Sequence, residues 1–299
     1  MIRQISDHIH LVLGANGGQF PFSNSVLVTG KRSALFDTGC GREACHKVLR
    51  RCELDMVVNS HTHPDHFSGN HRFQGRPLLV PEMFAGMLPD LPRMSRRLAG
   101  GGEAAAQWMF MVQEILEHQP VEPGAVYREG DVIDLGPIKF EAIHTPGHLE
   151  DHFCFFERDQ GILLSFDLDL SPFGPWYGHA ESDLSSLRYS LKKLRDLQPR
   201  MVISSHLPDA VTGEEAIRQA LEAYEAVIDA RQYQILGLLP EEGRTPEELA
   251  GASPIYGLRA GRGFALYHYF EARMIEKHLQ VAVDQGVATR LPDGRYRPA

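Results

Sequence analysis

The sequence predicts a mixed α/β (α+β) fold that carries a small, mainly helical C-terminal module. Three observations lead there. Short apolar strands alternate with amphipathic helices over residues 9–210. Histidines and aspartates recur just past the ends of those strands. After Leu239 the texture changes, and helix-start signals are followed by a hairpin signal. At 299 residues the chain suits one large domain, or a large domain plus a small one. With 43% apolar and 23% charged residues it has the makeup of a globular chain and not of a disordered one.

In order, segments 9–13, 25–28, 34–36 and 56–59 are short, apolar or alternating, and bounded by Gly, Asn, Asp or Ser, which marks them as strands. A helix is expected over 41–51, between the third and fourth strands, and a further short strand at 77–80. From 81 to 124 Pro, Met and Arg become frequent. This stretch is expected to be a helical insertion whose main helix, 104–118, shows Trp108, Met111 and Ile115 on one face, serving as a lid, a core contact or a dimer face. Strands resume at 132–135, 138–143, 153–156 and 162–165. Ser182 is the expected cap of a helix whose apolar side carries Leu184, Leu187, Leu191 and Leu194, and Pro199 ends it. A last buried strand at 201–204 precedes a long amphipathic helix, 214–236. In the tail, Thr245 caps a helix with Pro246 at its first position, 271–285 is helical, and Pro292-Asp293-Gly294 turns a hairpin.

Composition narrows the function. No apolar run approaches the ~20 residues of a membrane span. The start MIRQISDHIHLVLG reads as a strand and not as a leader, so a cytoplasmic protein is expected. A formal charge of -9 disfavours nucleic acid as the main partner. None of the four cysteines forms a CxxC pair, which argues against a zinc knuckle or a disulfide framework.

The chemistry is concentrated in Asn59-Ser60-His61-Thr62-His63-Pro64-Asp65-His66, directly after an apolar strand. Neutral imidazole is a favoured ligand for zinc and its neighbours. Alternate residues at a strand end point the same way, so His61 and His63 can grip one ion together. Asp65 and His66, just past the strand, can aim at a second. His148, Asp167 and His206 each follow another apolar strand, where loops converge.

These pieces resemble the metallo-β-lactamase superfamily, in particular its glyoxalase II-like branch with a binuclear site. Phe36-Asp37-Thr38-Gly39, the His61–His66 motif, Thr145-Pro146-Gly147-His148, Asp167 and His206 stand in that family's order. The resemblance implies an αββα sandwich over residues 1–236, with the insertion at about 81–124, and a winged-helix-like module over 237–299. It implies that His61, His63 and His148 hold one divalent metal, that Asp65, His66 and His206 hold another, and that Asp167 bridges them. Zinc is the expected metal, with manganese or iron as alternatives. The sequence departs from the pattern in three places: Phe166 stands where relatives carry a small residue, Asp169 offers a second carboxylate, and Leu149-Glu150-Asp151-His152 replaces the usual residues after His148.

The expected activity is hydrolysis of a small ester, thioester or lactone by a hydroxide shared between the metals, with Asp65 handling a proton. Asp37 is expected to orient a ligand. Tyr177 and His179, on the aromatic segment 171–179, are expected to reach the substrate, whereas His46, His144 and His152 are expected to be structural or superficial. The alternatives are a phosphodiesterase or ribonuclease, and an iron-dependent dioxygenase or redox protein of the same fold. The expected partner is a small molecule, with a homodimer as a further expectation.

Overall fold

The computed structural model describes residues 1–257 and 265–299. Segment 258–264 of the expected C-terminal module lies outside the described residues.

Alternating and wholly apolar strands assemble into two sheets. The first runs in chain order: β1 (Ile2–Gln4), β2 (Ile9–Val12), β3 (Ser25–Val28), β4 (Ala34–Phe36), β5 (Met56–Val58), β6 (Leu78–Pro81) and β7 (Ala125–Tyr127). Its first four strands are antiparallel, and β4 to β7 are parallel. The second sheet holds β8 (Val132–Asp134), β9 (Lys139–His144), β10 (Phe153–Glu157), β11 (Ile162–Phe166), β12 (Met201–Ser204) and β13 (Val211–Thr212), with only β11 and β12 parallel.

The sheets bury a shared core. Phe36 of β4 meets Phe140 of β9 and Phe155 of β10 edge to face, with centroids 5.4 and 5.0 Å apart. Helices cover both outer faces. α1 (Arg42–Arg51), α3 (Leu91–Ala99) and α4 (Gly102–Phe110) pack on the first sheet, and the four-residue α2 (Pro64–Phe67) carries part of the histidine motif. α5 (Leu184–Asp196) and α6 (Glu214–Leu236) pack on the second. The result is the αββα sandwich.

Beyond it stand α7 (Pro246–Ala250), α8 (Ala265–Asp284) and the hairpin β14 (Ala288–Arg290)–β15 (Tyr296–Pro298). Thr245 and Glu248 close a reciprocal capping box on α7. α8 is woven into the sandwich: Leu266 and Phe270 join the core under α1, α3 and α4, while Met274 joins that under α5 and α6.

Two local expectations are corrected. Asp183, not Ser182, caps α5 by accepting from the Ser186 amide, and the Ser182 hydroxyl instead donates to the His148 carbonyl. The expected helix 104–118 is α4 followed by a wide π turn, Met111–Ile115. That turn breaks the 3.6-residue period, so Trp108 and Met111 are buried while Ile115 is exposed.

Candidate metal centre

The carboxyl ends of β4, β5, β9, β11 and β12 reach one edge of the sandwich and deliver Asp37, His61, His148, Asp167 and His206 there. β4 and β5 are paired in parallel, Phe36 against Val58, so their following loops leave side by side. Asp37 takes a left-handed φ of 58° and turns its carboxylate back under the His61–His66 segment. Gly39 is dictated by proximity: a Cβ there would stand 1.3 Å from the Asp65 carbonyl oxygen. At β11 the pairing with β12 is irregular between Leu164 and Phe166, and Phe166 has a φ of 49°. This kink aims Asp167 out of the edge while the Phe166 ring stays in the core between the sheets. It explains why a residue without a side chain would be easier there.

Each imidazole is fixed by the group behind it. Nδ1–H of His66 donates to Asp37 Oδ2 at 2.7 Å. The Ser60 hydroxyl gives its only hydrogen to the same oxygen, so Nδ1–H of His61 donates to Ser60 Oγ at 2.8 Å. His148 and His206 donate through Nδ1–H to the carbonyls of Trp176 and Gly18, at 2.8 and 2.7 Å. His179 donates through Nδ1–H to the Leu98 carbonyl at 2.6 Å, which leaves its Nε2 to accept from Nε2–H of His63 at 2.5 Å. In the neutral rings the lone pairs turned into the site are therefore Nε2 of His61, His66, His148 and His206 and Nδ1 of His63.

These lone pairs converge with the carboxylates. One donor atom each from His61, His63, His148 and Asp167 lie within 4.8 Å of one another, and so do those of Asp65, His66, Asp167 and His206. Asp167 belongs to both groups. His63 Nδ1 and His148 Nε2 stand 2.9 Å apart, two lone pairs that repel unless a cation lies between them. His61 Nε2 is buried without a hydrogen-bond partner, and His66 Nε2 and Asp167 Oδ1, 2.8 Å apart, are buried with only each other and neighbouring site groups in reach. Buried polar atoms left unpaired are costly, and a donor set of this kind fits metal cations.

The electrostatics agree. Burial, with the charge of His66, holds the His61 ring well below its ordinary pKa, and burial with the charge of His148 lowers His63 to about 3. Burial opposes the charged form of His206 as well, but Asp167, Asp65 and Asp169 outweigh it and push the ring up to about 9. His66 is raised for the same reason by Asp167, Asp37 and Asp65. The half of the site next to Asp65 thus draws positive charge strongly, as a cation site with buried carboxylates must.

The family profile described as "Metallo-beta-lactamase superfamily" matches residues 18–206, which include all of the residues grouped here. The chain belongs to the metallo-β-lactamase superfamily. An atrochrysone carboxyl ACP thioesterase of Paecilomyces divaricatus is 28% identical over 234 residues, covering 72% of this chain and 62% of that protein. Another from Emericella nidulans is 27% identical over 238 residues, covering 74% and 64%. The chain thus spans about six tenths of the length of these curated relatives. A crystal structure of a metallo-beta-lactamase family protein from Thermus thermophilus matches with a TM-score of 0.75 at 23% identity, covering 99% of this chain and 100% of the other. A beta-lactamase domain protein from Burkholderia ambifaria matches with a TM-score of 0.72 at 18% identity, covering 100% and 93%. At these identities the structures establish the fold alone.

In this member of the superfamily His63, Asp65, His148, Asp167 and His206 line a cavity of about 940 Å³. His179 lines it, but the ring is committed to His63 and Leu98. Tyr177 does not face it, which corrects the expected substrate contact. Its hydroxyl pairs with His278 Nε2 at 2.7 Å and accepts from Arg231 at 3.2 Å, deep in the core beside α6 and α8. Arg231 also donates to the carbonyls of Phe173 and Pro175, so it clamps the whole aromatic segment. Asp169 lines the cavity and accepts from the Ser171 amide, but it belongs to neither ligand group, so Asp167 is the shared carboxylate.

Several supports carry no sequence signal. Arg97 of α3 donates to the Thr62 hydroxyl at 2.6 Å and pairs with Asp151 and Glu181, tying the insertion to the histidine loop. Lys277 of α8 donates to the His179 carbonyl at 2.6 Å. Nothing local marks either residue, because their partners lie more than 30 positions away.

Proposed function

We propose that this chain is a metal-dependent hydrolase of acyl thioesters or related esters that works with two divalent cations. The observation that carries this reading is Asp167, whose carboxylate reaches both ligand groups. His61, His63 and His148 would hold one cation, Asp65, His66 and His206 the other, and Asp167 would bridge them. When bound, such a pair supplies Lewis-acid polarisation of a carbonyl and an activated water at neutral pH. Zinc suits five imidazole nitrogens with carboxylate oxygens, and manganese or iron can be accepted by the same donors.

The chain's own groups do the rest. Asp37, Ser60 and His179 fix which nitrogen His66, His61 and His63 offer, and the Trp176 and Gly18 carbonyls do so for His148 and His206, so the site is organised before substrate arrives. Asp65 is held by its backbone, whose carbonyl accepts from the Ser23 hydroxyl at 2.6 Å. Its carboxylate is left facing the cavity, where it can take the proton that the nucleophilic water loses and pass it to the leaving group. Among the described residues lining the cavity the one serine is Ser171 and there is no cysteine; Ser171 is engaged by Asp169 and no histidine is paired with it as a general base. Direct attack by water is therefore favoured over a covalent acyl intermediate. The thioester preference draws on the names of the fungal relatives, which are described as thioesterases.

The test is a chelator-stripped protein assayed on a thioester of N-acetylcysteamine, an aryl ester, a lactone and a phosphodiester, before and after zinc, manganese or iron. Thioester or ester cleavage that returns only with metal is the expected result. Cleavage of the phosphodiester alone, or thioester cleavage that survives chelation, would sink the proposal.

A further inference from the structure

The cavity above the ligand atoms has walls of one kind. α4 and the π turn contribute Trp108 and Met111, the Arg231-clamped segment contributes Phe173 and Trp176, and the C-terminal module contributes Tyr256 and Phe270. Phe173 and Tyr256 are stacked at an interplanar angle of 14°, and the Trp176 indole donates to the Tyr256 hydroxyl at 2.8 Å, so the aromatic faces are locked against each other. Trp176 meets Phe270 edge to face at 5.1 Å. Among the described residues that line the cavity there is no lysine or arginine, and the only charged side chains besides the histidines are Asp65, Asp167 and Asp169.

The geometry points to a substrate whose acyl half is a bulky, uncharged, apolar group, aromatic for preference, held between these six side chains with its carbonyl at the ligand cluster. This rests on the hydrolase reading above and adds the substrate class. Chemistry decides which half of the substrate fits. The carbonyl carbon has to reach the floor, so whatever fills the chamber is attached to it. A thiol carrier of the pantetheine type is polar, rich in amides and anionic at its far end, and the chamber offers such a group few donors and no cation among the described residues. An apolar acyl group finds van der Waals contact and π faces on every side. A volume of about 940 Å³ is at the large end for small-molecule sites, far more than an acetyl group fills.

The chain supplies its own reporter. It has two tryptophans, Trp108 and Trp176, and both line this cavity. The experiment titrates the zinc-loaded full chain with 4-iodobenzamide, a neutral aromatic amide whose iodine quenches indole fluorescence on contact. A kinetic arm compares 2-naphthoyl, acetyl and succinyl thioesters of N-acetylcysteamine. We expect saturable quenching that 2-naphthamide reverses and acetamide does not. Phe173→Ala and Tyr256→Ala should each raise the dissociation constant about fivefold to tenfold. The naphthoyl thioester should exceed the acetyl and succinyl ones at least about tenfold in kcat/KM.

Quenching that rises linearly without saturation overturns the inference, and so does reversal by acetamide. Unchanged binding in variants that melt like the wild type, or an acetyl or succinyl thioester that is cleaved as well as the naphthoyl one, does the same. Tight, reversible binding of the aromatic amide with no thioester cleaved leaves the pocket standing and brings down the hydrolase reading instead.

Discussion

His179 has no place in the ligand set, yet it decides how His63 presents itself. Its Nδ1–H is spent on the Leu98 carbonyl, so only Nε2 faces His63, and His63 must offer Nδ1 to the centre. His179→Ala should therefore weaken metal binding by about 10–100-fold while the fold persists, read by competition with a chromophoric chelator. An unchanged affinity would show that the contact is mere packing. Asp167→Asn removes one negative charge from both ligand groups and should lower turnover by at least about a hundredfold; near-normal activity with full metal content contradicts its shared role. Gly39→Ala drives a methyl group against the Asp65 backbone carbonyl and should lower both the melting temperature and the metal affinity read by chelator competition. The clustering of the seven grouped residues was legible because chemistry restricts which residue types can hold a metal and strand ends restrict where they stand. Tyr177 was not, because an aromatic in a Pro- and Gly-rich segment looks the same whether it faces a substrate or Arg231 and His278.

Among the elements, α3 shows what holds the insertion in position. Arg97 reaches from it to Thr62, between two of the ligand histidines, and neutralises the wholly buried Asp151. Arg97→Met should destabilise the chain by about 3–5 kcal/mol in urea unfolding at pH 7, because a buried carboxylate loses its partner. Burial already raises the Asp151 pKa, so the deficit should shrink as acid protonates that group. A loss under about 1 kcal/mol would mean that the latch is dispensable. Ten of the thirteen described sandwich strands and the long helix α6 were readable from periodicity, whereas the edge strands β1, β7 and β13, two or three residues each, are too short to show it. The π turn after α4 was not, since a one-residue widening leaves no composition signal, and it is what separates Trp108 and Met111 from Ile115.

At the scale of the whole molecule, α8 joins the tail to both faces of the sandwich, and Lys277 marks the joint. Burial lowers its pKa from 10.5 to about 8. Between those values the unfolded chain binds more protons than the folded one, so this group's contribution to stability increases as pH rises through that window. Relative to a Lys277→Met variant, the wild type should gain stability from pH 8 to pH 10.5 in denaturant titrations; parallel curves would contradict the buried position. The αββα arrangement was expected from the family resemblance, whereas the docking of the tail was not. Residues such as Phe270 and Met274 find their partners only after the chain has returned across both sheets.

On the proposed reading one carboxylate, Asp167, organises two cation sites. The measurement that tests it most directly is metal content per chain by elemental analysis, on protein stripped by chelator and reloaded with zinc, for the wild type and Asp167→Asn side by side. About two equivalents are expected in the wild type and a clear loss from both sites in the variant. A wild type that saturates at one equivalent, or a variant that keeps two, would contradict it.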